Sequence, residues 1–280
     1  MCVCVDDFGL HAGVNEGAVG LAALRRVHAI GCLVGAEAWN VTWYGELRRL
    51  DPQSIDVGLH LDFTQSPLLP GSRNSLATLI ARSLTGRLDP AAVRAEIETQ
   101  LACFEQALGR APSFVDGHQH VHQLPIIREQ LIDELARRYP DTRPWLRSTR
   151  VGRQRATLKH RVIQWLGSRE TNLMAVRMGF AQNRHLLGVY DFRGGSARYT
   201  RLLAEWIPLA GDADLLMCHA GCGRHEADPL GEARSAEYEV LASDGFGTHL
   251  NEHGMVLEAM SHILRRQSLA AQSAHTDVSP

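Results

Sequence analysis

The sequence predicts an α/β fold in which helices cover a parallel β-sheet. Short apolar runs alternate with amphipathic stretches of helical spacing, and this β-α-β-α order is typical of parallel sheets. Acids and histidines also gather where apolar runs stop, and strand ends are where parallel α/β proteins build their sites. At 280 residues the chain could form one large barrel or two ordinary domains.

The first half of the chain contains the clearest elements. Apolar runs there predict strands over 3–5, 30–36, 55–61 and 113–115. An Ala- and Leu-rich stretch predicts a helix over 14–28. A second helix should begin after the N-cap Asp89, with Pro90 in its first turn, and end at Gly109. A third helix follows Pro125.

The second half is less regular. Apolar runs predict strands over 145–147 and 215–218, with a helix over about 197–207 between them. The segment 150–195 is irregular and rich in Arg and Gly, so we expect an insertion that shapes the mouth of the substrate site. Residues 267–280 should form a flexible tail.

Composition excludes several classes of protein. A net charge of −2 supplies no basic face, so we expect no nucleic-acid partner. No apolar stretch is long enough to span a bilayer, and the chain opens directly into a strand, without an export signal. The six cysteines include no Cys-x-x-Cys pair, which favours a reducing cytoplasm. A homodimer is the common oligomeric state and is our expectation here.

Four segments contain residues that could carry chemistry. These residues are Asp6 and Asp7 in Val-Asp-Asp-Phe-Gly, His60 in Gly-Leu-His-Leu-Asp, Asp116, His118, His120 and His122 in Asp-Gly-His-Gln-His-Val-His, and His219 in Cys-His-Ala-Gly. Their position at four strand ends predicts one pocket that holds a metal ion and acid–base groups.

Asp7, His60 and His118 would supply one carboxylate and two imidazoles to an ion. Such a mixed set is typical of an open, catalytic metal site, whereas structural zinc sites are rich in thiolates. Asp6 could then act as a base, but successive strand residues face opposite ways. Both acids reach one pocket only if the strand ends between them, and Gly9 makes such a turn plausible.

Other interpretations of the histidines remain open. His60 lies between two leucines and could be a half-buried histidine of the sheet. On an extended chain His118, His120 and His122 would project to one side, or they could form an exposed histidine-rich turn. Asp116 could orient a ligand histidine in the correct tautomer.

The four segments together resemble the YdjC-like carbohydrate deacetylases, a family that includes chitooligosaccharide deacetylases and hopanoid-biosynthesis-associated deacetylases. The motifs follow one another in the family's order over residues 1 to about 222. Two departures are visible. Ala220 stands where family members usually have proline, and the segment 150–195 matches no family motif.

The resemblance implies a distorted (β/α) barrel, similar to a TIM barrel and of the glycoside hydrolase/deacetylase type, formed by a single domain over 1–266. It also implies hydrolysis of the N-acetyl group of a sugar or of a glycolipid head group. By motif position, Asp7, His60 and His118 resemble the ligands of one divalent ion. Asp6 resembles the catalytic base, and His219 the acid that protonates the leaving amine.

The resemblance also bears on the identity of the ion and on residues around the proposed ligands. The family suggests Mg²⁺, whereas two imidazoles equally suit Zn²⁺. We place Asp116, His120, His122 and Arg147 among the residues that support the ligands or bind substrate.

Two alternatives compete with this interpretation. Phosphoesterases and cyclic-amide amidohydrolases on similar barrels use His-x-His pairs, as in 118–120, and often two metals. They need more carboxylates or a bridging lysine, and Lys159 is the only obvious lysine here. The other alternative is a non-catalytic sugar-binding relative, against which the intact set of acids and histidines argues.

Overall fold

The computed structural model describes residues 1–152, 157–223, 225 and 227–276. Strands in this part of the chain form one seven-stranded sheet in the order β5-β4-β3-β2-β1-β7-β6, with every neighbouring pair parallel. Their bounds are β1 (Cys2–Phe8), β2 (Ala29–Cys32), β3 (Asp56–Leu61), β4 (Phe114–Gly117), β5 (Trp145–Leu146), β6 (Leu186–Leu187) and β7 (Leu215–Cys218).

Helices connect and cover these strands. They are α1 (Ala12–Ala23), α2 (Val41–Arg49), α3 (Leu76–Leu84), α4 (Pro90–Leu108), α5 (Ile127–Arg138), α6 (Leu158–Ile163), α7 (Arg169–Arg177), α8 (Gly195–Trp206), α9 (Gly231–Ala242), α10 (Asp244–Glu252) and α11 (Met260–Thr276). Among the described helices, none combines the length and the apolar character that crossing a bilayer requires.

The sheet curls into a distorted barrel, which confirms the predicted fold class. Isolated parallel bridges join Leu146 to Gln182 and Val151 to Leu186, so the edge formed by β5 is linked to the edge formed by β6. The central strands β1, β2, β3, β4 and β7 are buried throughout, as expected for a parallel sheet that is covered on both faces.

Local signals set the bounds of α4 as the sequence predicts. The side chain of Asp89 accepts a hydrogen bond from the backbone N–H of Ala91, Pro90 occupies the first turn, and Gly109 ends the helix with a φ of 69°. The apolar face of this helix, with Ile97 among its fully buried residues, packs in the main hydrophobic core. The strand over 215–218 also has the predicted bounds.

Other predicted bounds differ from the structure. The first helix ends at Ala23 rather than at residue 28, because the chain turns at Arg25, which has a φ of 54°. The segment 150–195, of which 153–156 lie outside the described residues, contains α6, a π-helical turn (Gln164–Ser168), α7 and β6, so its described part is less irregular than expected. Residues 267–276, expected to be part of a flexible tail, continue α11, and 277–280 lie outside the described residues.

Candidate active site

The site residues named from the sequence converge on the carboxyl ends of the central strands. Asp6 and Asp7 lie in β1, His60 in β3 and Asp116 in β4, and His118 and His219 directly follow β4 and β7. Since all these strands are parallel, their carboxyl ends form one edge of the sheet. Residues far apart in sequence therefore share one site.

A bulge in β1 brings both acids to this site. The register of β1 against β2 shifts between Val5 and Phe8, and Asp7 has a φ of 69°. A bulge breaks the alternation of side chains, so neighbouring residues no longer have to face opposite ways. The expectation that the strand ends between Asp6 and Asp7, with a turn at Gly9, is wrong, because β1 continues to Phe8.

Asp7, His60 and His118 form a group that could hold an ion. One potential ligand atom of each lies within 4.8 Å of the other two. Oδ1 of Asp7 is 2.8 Å from Nδ1 of His118 and 3.4 Å from Nε2 of His60. Burial alone would raise the pKa of Asp7, but His118 and Arg234 outweigh burial and hold this pKa well below its usual value. Asp7 is therefore an anion at neutral pH.

Asp116 orients the ring of His60. Nδ1 of His60 is 2.7 Å from Oδ1 of Asp116, which leaves Nε2 on the side of Asp7. Metal-ligating histidines usually have such a carboxylate on their other nitrogen. A Cβ at Gly31 in the intervening β2 would make only van der Waals contacts with this group, at 3.4 Å from Nδ1 of His60 and 3.5 Å from Oδ1 of Asp6.

The guanidinium of Arg147 joins Asp6 to Asp116. Its Nη1 and Nη2 atoms lie 2.6 and 2.7 Å from the two carboxylate oxygens of Asp6, and Nη2 is 2.7 Å from Oδ2 of Asp116. The Arg147 side chain has 0% exposure, so it contacts the two acids from the interior of the protein and not from the solvent side.

Arg147 also bears on the number of metal ions. Potential ligand atoms of Asp6, His60 and Asp116 lie within 4.8 Å of one another, as a second ion would need. The guanidinium already supplies the positive charge that these two buried carboxylates require. This arrangement disfavours a two-metal hydrolase.

The histidine-rich segment is not the extended chain considered above. β4 ends at Gly117, and residues 118–123 form a 3-10 turn in which Gln119 and His120 have φ values of 53° and 61°. The prediction that His118, His120 and His122 project to one side of an extended chain is therefore wrong. Only His118 of the three joins the group around Asp7.

His122, which is buried, and His120, which is partly exposed, are neutral imidazoles beside this group. Burial lowers the pKa of His122 to about 4 and that of His120 well below its usual value. Nε2 of His122 is 3.0 Å from the backbone oxygen of Arg147, a distance at which Nε2–H donates a hydrogen bond. Nδ1 of His120 is buried and has no hydrogen-bond partner in the described part of the chain.

Helix α9 holds the turn that contains His219. The backbone N–H of His219 donates to the carboxylate of Glu237, and its carbonyl accepts a hydrogen bond from Nη1 of Arg234 at 3.1 Å. The backbone N–H of Gly221 donates to the carbonyl of Arg234, also at 3.1 Å. These bonds fix the backbone on both sides of Ala220, the position where the family usually has proline.

The imidazole of His219 is neutral at neutral pH in this environment. Burial lowers its pKa to about 4, although the charges of Asp7 and Asp6 act in the opposite direction. The ring meets Phe192 edge-on, with centroids 5.0 Å apart, and Nδ1 is buried without a hydrogen-bond partner among the described residues. If His219 acts as the acid that the resemblance implies, its imidazole is therefore neutral before the reaction starts.

Arg234 is the main site residue that the sequence did not reveal. Its Nη2 is 2.8 Å from Oδ2 of Asp7, and its Nε is 2.6 Å from Oδ2 of Asp228. The side chain is 3% exposed, so both ion pairs are buried. The one available signal was the spacing of Arg234 and Glu237, which places two opposite charges on the same face of a helix.

Part of the segment 150–195 reaches the site. Nζ of Lys159 lies 4.2 Å from the centre of the Phe192 ring and 2.8 Å from the backbone oxygen of Tyr190. Phe192 has a φ of 59°, a conformation that is rare for a bulky residue, and it packs against His219. The segment thus forms one wall beside His219.

Comparison with curated proteins finds relatives over about half of the chain. The sequence is 35% identical over 138 residues to the carbohydrate deacetylase of Homo sapiens, an alignment that covers 45% of this chain and 42% of that protein. It is 31% identical over 134 residues to the chitooligosaccharide deacetylase of Yersinia pestis (strain Pestoides F), covering 45% of this chain and 52% of that protein. The chain thus spans about half the length of these relatives.

Solved structures share the fold over most of the chain. A putative cellobiose-phosphate cleavage protein from Enterococcus faecalis V583 superimposes with a TM-score of 0.69 at 20% identity, covering 94% of this chain and 98% of that one. The Bc1960 peptidoglycan N-acetylglucosamine deacetylase does so with a TM-score of 0.52 at 11% identity, covering 94% and 87%.

The model of the family described as "YdjC-like protein" matches residues 1–252. This match contains all four motif segments and extends through α9, which contributes Arg234 and Glu237 to the site. The chain therefore belongs to the YdjC-like protein family.

Proposed function

We propose that this chain hydrolyses the N-acetyl group of an acetylated amino sugar or glycoconjugate and releases acetate. The observation that carries the proposal is the convergence of Asp7, His60 and His118 beside Asp6 and His219. Carbohydrate and chitooligosaccharide deacetylases among the relatives support the choice of substrate class.

The donor set fits a divalent ion. Asp7 is an anion, and the Nδ1 atom of His60 is engaged by Asp116, which leaves Nε2 as the atom that faces Asp7. Asp7, His60 and His118 would hold the ion, either Mg²⁺ or Zn²⁺. When bound, such an ion polarises a carbonyl oxygen and lowers the pKa of a water molecule.

The nearby carboxylates raise the pKa of His60 well above its usual value, although burial acts against them. His60 therefore carries a proton that an incoming ion must displace, so binding should release protons.

Asp6 is the proposed base. Its carboxylate is oriented by two hydrogen bonds from Arg147, at 2.6 and 2.7 Å. A carboxylate has about four lone-pair positions, so Asp6 can still accept a proton from the attacking water. Arg147 would thereby set the direction in which this acceptor faces.

His219 is the proposed donor to the leaving amine, which departs readily only when protonated. One proton leaves the water for Asp6 and one reaches the amine nitrogen, so the proton balance needs no imidazolium in the resting enzyme. A neutral His219 meets this balance when the proton that Asp6 takes from the water is passed to the imidazole, which then donates a proton to the amine nitrogen as the C–N bond breaks. Phe192 and the bonds from α9 fix the position of the ring.

The direct test is an assay of acetate release from N-acetylglucosamine oligomers, with metal-depleted protein and with Mg²⁺ or Zn²⁺ restored. Activity should require the ion. His219→Ala should reduce turnover by about 10²-fold or more, the usual worth of a positioned acid or base, and should keep its metal content. His118→Ala should lose the ion, whereas His262→Ala, on α11, serves as a matched control.

Near-normal turnover of His219→Ala would remove the acid role, and stoichiometric metal in His118→Ala would show the ligand set to be incorrect. Absence of acetate release from every N-acetylated sugar would favour the non-catalytic alternative.

All six cysteines are unpaired, which is consistent with the reducing cytoplasm that the sequence predicts.

A further inference from the structure

A second group of metal-ligating side chains lies at the end of α10, on residues that the proposed reaction does not use. Potential ligand atoms of His249, Glu252 and His253 lie within 4.8 Å of one another. His249 and His253 are four residues apart, so they lie on one face of the helix end, and Glu252 is three residues from His249.

The imidazole of His253 is oriented as metal ligands usually are. Nδ1 of His253 is 2.9 Å from the backbone oxygen of His249, so in the neutral ring Nδ1–H donates and Nε2 is left free. Nε2 of His249 is buried and has no hydrogen-bond partner among the described residues. The two rings are 4.4 Å apart between centroids.

The surroundings favour a cation. Nδ1 of His249 is 3.7 Å from Oε2 of Glu252, and the group lies at the carbonyl end of α10, where the helix dipole is negative. His249 and Glu252 also line a cavity of about 610 Å³ between α8, α9 and α10, together with Glu239 and Thr200. Glu252 and His253 are exposed, so an ion bound by this group would be reachable from solvent.

We propose that His249, Glu252 and His253 form a second, peripheral site for one borderline divalent ion such as Zn²⁺ or Ni²⁺. Two imidazoles and one carboxylate suit these ions better than Mg²⁺ and leave a position for water. A bound ion joins the last turn of α10 to its C-cap residue. Together with the one ion of the proposed catalytic centre, the chain would then hold two zinc ions. A count of two ions per chain therefore does not indicate a two-metal enzyme.

The test is calorimetric titration of metal-depleted, full-length protein with Zn²⁺. The wild-type chain should bind a second ion, and His253→Ala should lose that ion or bind it at least about tenfold more weakly, the smallest effect expected even for residues that only support a ligand. His249→Asn provides a second variant, and His262→Ala should bind as the wild type does. Circular dichroism without zinc checks that each variant is folded.

The same titration in a His118→Ala background separates this site from the catalytic centre. Zinc binding that remains in His118→Ala and disappears on adding His253→Ala supports the peripheral site, whatever the acetate assay shows. An unchanged number of ions, with a Kd altered less than tenfold in both His253→Ala and His249→Asn, overturns the proposal.

Discussion

The protonation state of His219 connects one residue to the pH dependence of the proposed reaction. Burial lowers its pKa to about 4, and a bound cation nearby would lower it further. The free enzyme therefore contains neutral His219 from about pH 5 upward. If catalysis needed imidazolium at rest, kcat/KM would fall about tenfold for each pH unit above 4.

We expect no such fall. Between pH 5.5 and 8, kcat/KM for the metal-saturated enzyme should show no decline that can be assigned to His219. The pH profiles of the wild type and of His219→Gln should therefore have the same shape in this range. The measurement is a pH profile of acetate release for both proteins. A falling limb near neutral pH that is present in the wild type and absent from the variant would show that His219 is protonated at rest.

At the scale of single elements, α9 supports two parts of the site at once. Arg234 contacts the carboxylate of Asp7 in the β1 bulge and the backbone carbonyl of His219 after β7. The carboxylate of Asp228 accepts a hydrogen bond from Nε of the same guanidinium. This arrangement couples the proposed metal ligand Asp7 to the proposed proton donor without a covalent constraint such as proline.

Replacing Arg234 should therefore reduce turnover even when metal is saturating. We expect Arg234→Met to lower kcat by roughly 10- to 100-fold, the usual effect of losing a group that orients a metal ligand. Arg234→Lys should recover only part of this loss, because an ammonium group cannot span the same contacts in a fixed fork. Acetate release at saturating metal and substrate measures the effect.

Arg266→Met is the matched control, since its ion pairs with Glu258 and Asp212 are largely exposed. Thermal unfolding of each variant is measured in parallel, because loss of one partner leaves Asp7 and Asp228 buried with less compensation. A kcat for Arg234→Met within twofold of the wild type would contradict a role in positioning.

Short-range signals account for the elements that the sequence predicted well. Asp89, Pro90 and Gly109 mark α4 because capping and proline geometry act within a few residues. The bulge at Asp7 and the turn over 118–123 could not be predicted in this way. Both depend on backbone conformations with positive φ at residues other than glycine, which the packing of the whole site must stabilise.

Over the whole molecule, strand order explains why the residues of the candidate site could be grouped from the sequence. Asp7, His60 and His118 could be grouped from sequence because each lies at a strand end, and parallel strands align those ends. Arg147 was named without its partners, and Arg234 was missed. Their contacts connect elements that only the curled sheet brings together, which no local pattern encodes.

The closing of the sheet also determines the wall beside His219. The bridges from Leu146 to Gln182 and from Val151 to Leu186 bring the segment 150–195 next to the strand ends. Lys159 and Phe192 reach the site through this contact. We therefore expect substrate choice to depend on this segment more than on the ligand residues.

The most direct measurement is anomalous diffraction from crystals of the full chain soaked in Zn²⁺. Besides the peak expected at the peripheral site of His249, Glu252 and His253, a strong peak should lie between the side chains of Asp7, His60 and His118, with Asp6 and His219 beside it. Absence of a peak there, or side chains of these three residues that face different directions, would contradict the proposed metal centre and the reaction that depends on it.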